Sequence, residues 1–234
     1  MQHRLSAIGT LLAAFAATVA CHSSAGLKRG EVSTRPCGPE SLIDNGDDGD
    51  AQILKSEGRT GKWYTYVDTS GSTIEPAVGG PFAMSPGGVG SKGMAARMQG
   101  KVTRGGEVFC GMGLDFTEPR QTYDASRYGG VAFFAKKAPG SIARVHVKVP
   151  DVNTDPAGKV CTKCSNDFGA MFDLTDDWVR YEVPFYLAQQ EKGWGSPQPE
   201  SIAADQLYGI KWQVSVPATK YDISVDDVTF VGCE

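Results

Sequence analysis

The chain has 234 residues, of which 41% are apolar and 21% are charged, and its formal net charge is −4 at pH 7. This acidic balance argues against a nucleic-acid-binding surface, which needs a basic stripe, and the apolar fraction excludes global disorder. Glycine and proline, with 29 and 13 residues, exceed their average share and favour a turn-rich β protein over a helix bundle.

The first twenty residues have the composition of a secretory signal peptide. Arg4 supplies a positive charge, and residues 5–20 are apolar or small. A run of this length is short for a membrane-spanning helix, which takes about 20 apolar residues, so we expect export followed by cleavage. A buried N-terminal helix is the alternative interpretation of this segment.

The segment ends in Thr18, Val19, Ala20 and Cys21, which resembles a bacterial lipobox, where a small residue precedes the cysteine that becomes lipidated. Thr18 stands where such motifs usually have Leu. We predict that Cys21 carries a lipid and that residues 21–40 include a flexible tether. The chain is then exported to the cell envelope and anchored to a bacterial membrane through the lipid alone. Ordinary cleavage, which leaves Cys21 as a plain thiol, is the alternative.

Four further cysteines predict two disulfides, because an exported chain folds in an oxidising compartment. Cys37 opens the folded part and Cys233 closes it, so a bridge between them would clamp the two ends of the domain. Cys161 and Cys164 form a C-x-x-C motif, which we interpret as a local disulfide that staples a loop. The alternatives are a zinc half-site, which lacks a second pair at suitable spacing, and a redox motif, which lacks the βαβ context.

Nine segments alternate apolar and polar residues or concentrate aromatic and β-branched ones, which is typical of β-strands. In chain order they are 62–67, 93–103, 107–116, 131–136, 143–149, 168–174, 178–183, 207–216 and 221–230. Helical turns are expected only at 185–191 and 203–207, and the Gly- and Pro-rich stretch 70–93 is predicted as a long loop. Nine strands without alternating helices predict an all-β fold, an antiparallel β-sandwich or jelly roll over residues 41–234.

Four short motifs lie along the predicted domain: LIDNGDDGD at 42–50, WYTY at 63–66, YDASRYGGV at 123–131 with FFAK shortly after it, and DISVDDVTF at 222–230. Together they resemble the galactose-binding-like jelly rolls that accompany bacterial glycoside hydrolases. Family 11 carbohydrate-binding modules and the related complex-I-intermediate-associated domain are the families that they resemble. The resemblance implies a β-sandwich with a structural calcium ion and a concave sugar-binding face.

Two acidic clusters form the candidate calcium site that the resemblance implies. The first lies within 44–50, and the second consists of Asp226 and Asp227 near the chain end. In jelly rolls of this kind the first and last strands are neighbours, so both clusters can contribute to the six to eight oxygen ligands that Ca²⁺ takes. We expect Asp47, Asp50 and Asp227 to be metal ligands, although Asp47 stands where the family's opening motif often has Glu. A solvated acidic turn is the alternative.

Side chains on one face of the predicted strands, with two loop segments, form the candidate sugar-binding groove. Aromatic rings stack on the C–H faces of sugars, and a few placed polar groups bind their hydroxyls. The predicted ligand-binding residues are Tyr64, Tyr66, His146, Lys148, Asn166, Asp167, Trp194 and Gln213. Trp194 lies between two glycines and is expected to be exposed, whereas Trp178 and Trp212 are expected in the core. The alternative is that the tyrosines and Trp194 only cover core edges beside a solvated sheet face.

No catalytic residues are predicted. His146 is the only histidine of the predicted domain, and no G-x-S-x-G motif accompanies it. Glu107 and Glu182 are candidate glycosidase carboxylates, but nothing in the sequence places them about 5–10 Å apart. The G-x-G-x-x-G match at 88–93 lacks the βαβ context of a dinucleotide site.

The sequence therefore predicts non-catalytic binding of a polysaccharide or oligosaccharide by an envelope-anchored β-sandwich, which holds the glycan near secreted hydrolases. Two alternatives stay open. A glycan hydrolase or polysaccharide lyase would use the same groove, with His146 and Lys148 beside a tyrosine. A protein-interaction lipoprotein would use the fold without any glycan.

Overall fold

The computed structural model of the protein describes residues 37–233. The predicted signal peptide, the predicted lipidation site Cys21 and most of the predicted tether lie outside the described residues, so these predictions stay predictions. Within residues 37–233, no helix has both the length and the apolar character that a membrane crossing requires.

In this part of the chain, twelve strands form two antiparallel sheets that pack as a sandwich. The strands are β1 (Leu42–Asp44), β2 (Trp63–Val67), β3 (Thr73–Glu75), β4 (Ser85–Pro86), β5 (Met94–Lys101), β6 (Cys110–Asp115), β7 (Gly130–Lys137), β8 (Arg144–Val149), β9 (Phe168–Asp173), β10 (Val179–Pro184), β11 (Gly209–Val214) and β12 (Lys220–Val231). One-turn 3-10 helices lie at Pro39–Ser41, Val89–Ser91, Pro156–Gly158 and Phe185–Leu187. The antiparallel β-sandwich that the sequence predicts is confirmed.

The two sheets differ in strand order. The larger sheet has the order β10-β7-β12-β5-β3, with β1 paired to β12 and β4 paired to β5. The second sheet has the order β2-β6-β11-β8-β9. All nine predicted strands are present, with ends that differ from the expected ones by a few residues.

Side-chain alternation decides which face of the second sheet enters the core. In β11, Ile210 and Trp212 are buried, while Lys211 and Gln213 point to the opposite face. β8 pairs beside it, with Val147 opposite Trp212. A slip of one residue would exchange the two faces, so the register that fills the core also fixes the polar face.

Aromatic side chains dominate the core. The indole rings of Trp63 and Trp212 stack with centroids 5.3 Å apart, and Phe133 meets Trp212 edge-on at 5.3 Å. Because Trp212 belongs to the second sheet and Phe133 to the larger one, this contact joins the sheets. Burying each such ring stabilises the fold by about 1.5–3 kcal/mol.

Both predicted disulfides are present. Cys37–Cys233 joins residues 196 apart in the sequence and so ties the two ends of the domain together. A loop of this length corresponds to roughly 5 kcal/mol of stabilisation in the chain-entropy account. Cys161–Cys164 closes a separation of only 3 residues. Among the described cysteines, Cys110 is unpaired and buried.

Two loop expectations differ in outcome. The stretch 70–93 is not one long loop, because it contains β3 and β4 and buries Phe82 and Met84 in the core. These two apolar side chains hold the segment against the sandwich. The helical turn expected within 185–191 is confirmed as the 3-10 helix Phe185–Leu187.

Two other local expectations are wrong. Residues 203–207 form a turn rather than a helix, and the amide of Gln206 closes it by donating to the carbonyl three residues earlier. Trp178 is half-buried outside the core, with Nζ of Lys136 4.7 Å from its ring centroid. Tyr181 points inward from β10. Trp178 lies three residues earlier and therefore points outward in the same alternation.

Candidate functional site

A cleft of about 960 Å³ lies over the face of the second sheet that points away from the core. We call this cleft the groove. Its floor comes from Tyr64 and Tyr66 on β2, Lys211 and Gln213 on β11, and Lys148 on β8. Its walls come from the loops that precede β6 and follow β6, β8 and β10. The pairing of β8 with β11 places Lys148 opposite Lys211, so the two ammonium groups enter the groove from neighbouring strands.

The two tyrosine rings lie across β6, where glycines face them. A Cβ atom on Gly111 would lie 2.2 Å from Cζ of Tyr66, and one on Gly113 would lie 2.8 Å from Oη of Tyr64. The ring centroids are 6.2 Å apart, and Tyr66 Oη lies 3.4 Å from Oε1 of Gln213. Burial raises the pKa of both phenols well above the usual range, so both stay protonated and able to donate. Together they form an aromatic wall along β2.

Asp167, a lining residue of the groove, is fully buried beside cationic side chains. Lys211 Nζ donates to its Oδ2 atom at 3.1 Å and lies 3.7 Å from Oδ2 of Asp155. The Oδ1 atom of Asp167 has no hydrogen-bond partner among the described residues. Because buried polar atoms are rarely left unpaired, this oxygen is a candidate acceptor for a ligand donor.

Lys148 is the second cation of the groove floor. Its Nζ donates to the carbonyl of Ser165 at 2.7 Å. Burial lowers the pKa of the Lys148 ammonium, the charge of Asp167 opposes this shift, and Lys211 adds to it. An ammonium carries three N–H donors, so Lys148 can bind a ligand hydroxyl in addition to Ser165.

Arg120 reaches the groove wall from the loop after β6 and holds Asp155 in place. Its Nη1 and Nη2 atoms donate to the two oxygens of Asp155 at 2.6 and 2.8 Å, and Nε donates to Asp115 at 2.9 Å. The guanidinium also lies 4.6 Å from the ring centroid of Tyr208. Burial alone would raise the pKa of Asp155, but the hydrogen bonds from Arg120 hold it below its usual value. Lys211 therefore has the ionised carboxylate of Asp155 near it, in addition to Asp167, to which it donates.

Trp194 forms the rim of the groove. The loop that carries it, which we call the rim loop, is fixed by hydrogen bonds to residues beneath it. The residue is 39% exposed, and its Nε1 donates to Oε2 of Glu191 at 2.8 Å. The other oxygen of Glu191 lies 3.2 Å from Nδ1 of His146. The amide group of Asn166 donates to the carbonyls of Glu191 and Trp194 at 2.8 and 2.7 Å, and its oxygen accepts from the Glu191 amide at 2.9 Å. Asn166 and His146 thus support the rim.

His146 is uncharged at neutral pH because its ring is buried. Burial lowers its pKa from 6.5 to about 4, the charge of Lys148 adds to the shift, and Glu191 opposes it. Since a carboxylate only accepts, the neutral ring must carry its proton on Nδ1 to bind Glu191. The ring thereby orients the carboxylate that holds Trp194.

Six of the eight predicted ligand-binding residues line the groove: Tyr64, Tyr66, Lys148, Asp167, Trp194 and Gln213. His146 and Asn166 lie behind the rim instead. The sequence analysis missed Arg120, Asp155 and Glu191 as groove residues, because each lies in a loop whose path depends on tertiary contacts. The alternation of β8 could place His146 on the polar face, but it could not show that the rim loop covers it.

The structure does not bring together the two carboxylates considered for glycosidase chemistry. Glu107 lines the groove, whereas Glu182 lies on β10 in the other sheet. Within the groove, Asp155 and Asp167 are engaged in ion pairs with Arg120 and Lys211. The groove offers stacking surfaces and hydrogen-bond partners for a ligand.

The predicted metal ligands belong to segments at β1 and β12, which pair with each other as expected. Asp47 lies near enough to Asp227 to raise its pKa, after the larger effect of burial. Asp50 accepts a hydrogen bond from the amide of Gln52 at 2.6 Å. Within residues 37–233, no group of three or more His, Cys, Asp or Glu side chains has the geometry of a metal site.

One buried carboxylate in the same region has an oxygen without a partner among the described residues. Asp44 accepts from Nε1 of Trp63 at 2.5 Å through Oδ2, while its Oδ1 is unpaired. Burial raises the pKa of Asp44 to about 6, and the hydrogen bond from Trp63 opposes this shift. Asp44 pairs with Val228, next to Asp227 in the sequence.

Comparison with known proteins gives no match to a family model and none to a curated protein. Among solved structures, the chain is similar to the family 11 carbohydrate-binding module from Clostridium thermocellum in complex with a β-1,3-1,4-mixed-linked tetrasaccharide. The identity is 14% over 79% of this chain and 96% of that one, with a TM-score of 0.55. It is also similar to the family 30 module of a cellulosomal cellulase of the same organism, at 14% identity, 78% and 96% coverage and a TM-score of 0.50. The chain therefore shares the β-sandwich fold of these carbohydrate-binding modules.

Proposed function

We propose that the protein binds carbohydrate in the groove without converting it. The observation that carries the proposal is that one cleft combines the ring wall of Tyr64 and Tyr66 with the buried, unpaired Oδ1 of Asp167. Ring surfaces and a few fixed polar groups are what recognition of a sugar requires. The shared fold with modules named for carbohydrate binding supports this use of the sandwich.

In the proposed complex, sugar rings stack on Tyr64, Tyr66 and Trp194. A ligand hydroxyl donates to Oδ1 of Asp167, and the ammonium of Lys148 donates to a neighbouring hydroxyl. Because a hydroxyl both donates and accepts, adjacent hydroxyls of one sugar can serve both groups. A polysaccharide or oligosaccharide is thus the proposed ligand.

A glycan array with the full chain, with and without Ca²⁺, tests this proposal. Binding to a defined polymer such as β-1,3-1,4-glucan, with the polymer recovered intact, supports it. Shortened or unsaturated products would overturn the non-catalytic part and indicate a hydrolase or lyase. Failure to bind any glycan in either condition would overturn the carbohydrate part and favour a protein partner, to be sought by pull-down from envelope extracts.

We further propose that the chain is exported, lipidated at Cys21 and held on the cell envelope, where it keeps the glycan near secreted hydrolases. The support is the apolar stretch 5–20 and the small residues before Cys21. Metabolic labelling with an alkynyl palmitate in a bacterial host tests the anchor. Labelling of the wild type but not of Cys21→Ser supports it, and equal labelling of the two, or none of either, would overturn it.

We also propose a structural Ca²⁺ ion held by Asp47, Asp50 and Asp227. The support is the raised pKa of Asp227, to which burial and the charge of Asp47 both contribute, since a cation would stabilise these two carboxylates. When bound, Ca²⁺ would supply charge balance between the first and last strands. We expect millimolar Ca²⁺ to raise the Tm of the wild type and not that of the Asp47→Asn, Asp227→Asn double variant. Equal shifts, or none in the wild type, would contradict the proposed site.

A further inference from the structure

The Cys161–Cys164 disulfide lies in the wall of the groove, and Cys164 is one of the lining residues. Residues 165–167, which follow it directly, each hold one part of the groove. The carbonyl of Ser165 accepts from the ammonium of Lys148. Asn166 donates to the loop that carries Trp194. Asp167 accepts from the ammonium of Lys211. The disulfide therefore starts a segment that supplies several polar contacts of the groove.

The residues inside the disulfide ring pair with the loop that carries Trp194. The amide of Thr162 donates to the carbonyl of Ser196 at 2.9 Å, and the amide of Ser196 donates to the carbonyl of Lys163 at 3.1 Å. Ser196 lies two residues after Trp194. The backbone of the rim is thus bound to the two residues that the disulfide encloses.

The rim loop needs such outside support. Gly193 and Gly195 have φ values of 90° and 86°, in a region that glycine adopts readily and other residues rarely. Flanking glycines increase the number of conformations open to a loop that is not held. The position of Trp194 therefore depends on its partners, which include the side chains of Asn166 and Glu191 and the paired backbone at 162–163.

Ser165 also depends on a fixed backbone. Its φ is 72°, a left-handed conformation that residues with a side chain seldom adopt. In this conformation its carbonyl accepts from Lys148. The neighbouring bond at Cys164 restricts the backbone directly before it, so loss of that bond would let Ser165 relax and turn its carbonyl away from Lys148.

Loop length separates the roles of the two disulfides. The stabilisation that a disulfide provides through the unfolded chain grows with the length of the loop it closes. Cys37–Cys233 closes a separation of 196 residues, and Cys161–Cys164 closes one of 3 residues. The short bond thus contributes less to global stability, and its main effect is to fix segment 161–167.

We propose that the Cys161–Cys164 disulfide is a positioning element of the groove, whose reduction loosens the Trp194 rim and weakens ligand binding. The part about binding rests on the proposed function. Both cysteines are half-buried, so a small dithiol reductant can reach them. One reductant thiolate attacks a protein sulfur and forms a mixed disulfide, and its second thiolate then closes the reductant's own disulfide. Two electrons pass to the protein, and with two protons they leave thiols on Cys161 and Cys164.

The test compares two variants of the full chain: Cys161→Ser with Cys164→Ser, and the matched control Cys37→Ser with Cys233→Ser. Titration calorimetry with the β-1,3-1,4-mixed-linked tetrasaccharide should show about tenfold weaker binding for the first. The control should keep wild-type affinity at a temperature where it stays folded. Thermal unfolding should show the opposite order, with the larger loss of Tm in the control. Wild-type affinity in the first variant would overturn the proposal.

Two further measurements need no ligand. Amide hydrogen exchange at Thr162 and Ser196 should be faster in the Cys161→Ser, Cys164→Ser variant. Acrylamide should quench tryptophan fluorescence more strongly in this variant, because Trp194 is more exposed than the other three tryptophans. Dithiothreitol added to the Cys37→Ser, Cys233→Ser control, which keeps only the short disulfide among the described pairs, should produce the same changes. If the wild type binds no glycan, the proposed function fails while these measurements still decide the positioning role. Unchanged exchange and quenching would overturn that role.

Discussion

The ring of Tyr66 lies across Gly111, so closely that a Cβ atom on the glycine would be 2.2 Å from Cζ of the ring. The two residues are register partners between β2 and β6, and Tyr64 has the same relationship with Gly113. The glycines are therefore as much a part of the aromatic wall as the tyrosines. They determine whether the rings can lie flat over the sheet.

We expect Gly111→Ala to weaken glycan binding by about tenfold, because Tyr66 must move to make room for the methyl group. Overpacking of this kind costs about 1–3 kcal/mol, so the free energy of unfolding should fall as well. Titration calorimetry and urea unfolding measure the two effects. Gly105→Ala is the control, since a Cβ there meets nothing within 4 Å. Unchanged affinity in a folded Gly111→Ala protein would remove Tyr66 from the ligand contacts.

The sheets were predictable because their long strands either alternate apolar and polar residues or concentrate apolar ones. In β11 the buried Trp212 and the outward Lys211 and Gln213 repeat with the period of two that a half-buried strand requires. Strands β1, β3 and β4 have two or three residues each, which is too short to show a period. The sequence analysis therefore found the frame of the sandwich and missed the short strands that complete it.

The groove was predictable mainly where its residues belong to strands, and the loop residues Asp167 and Trp194 are the exceptions. Tyr66, Lys148 and Gln213 follow from alternation, since all lie on the polar face of one sheet. Arg120 and Glu191 come from loops, and their places depend on ion pairs and hydrogen bonds with residues far away in the sequence. Such contacts leave no periodic pattern, so sequence reasoning could not assign them.

Asp167→Asn tests the polar centre of the groove. The substitution keeps the size of the side chain but removes the charge that binds Lys211 at 3.1 Å. We expect binding to weaken at least about tenfold, because the amide cannot offer two acceptor oxygens. The free energy of unfolding should fall by about 1–3 kcal/mol, less than for most broken buried pairs, because Lys211 keeps Asp155 at 3.7 Å.

The control for this substitution is Asp205→Asn, which lies on an exposed turn. It removes the same charge from the chain outside the groove, so neither affinity nor stability should change. Calorimetry at low and at moderate salt separates the effect of the net charge on binding from the effect of the Asp167 charge inside the groove. Wild-type affinity in Asp167→Asn would show that the unpaired Oδ1 is not a ligand acceptor.

Trp194→Ala removes the exposed ring of the rim. We expect a loss of about 2 kcal/mol in binding free energy, or roughly thirtyfold in Kd, with little change in Tm because the residue is 39% exposed. Trp178→Ala is the matched control, since this ring lies outside the core against Lys136 on the larger sheet. Equal binding by the two variants would exclude Trp194 as a stacking platform.

Because the pKa of His146 is lowered, the free energy of unfolding should fall as the pH falls. The folded-state pKa of about 4 lies below the ordinary value of 6.5, so between these values the unfolded chain binds a proton that the folded chain does not. This contribution is fully present above about pH 6.5 and is lost as the pH falls through 4, by about 3 kcal/mol in total. In urea unfolding, His146→Gln should lose less stability than the wild type between pH 7 and 4.5, because glutamine does not titrate but still offers Glu191 an N–H donor.

The carboxylates titrate in both proteins, so the difference between the two curves isolates the histidine. Parallel curves would show that His146 titrates near its ordinary value and that the Trp194 loop does not keep water from it.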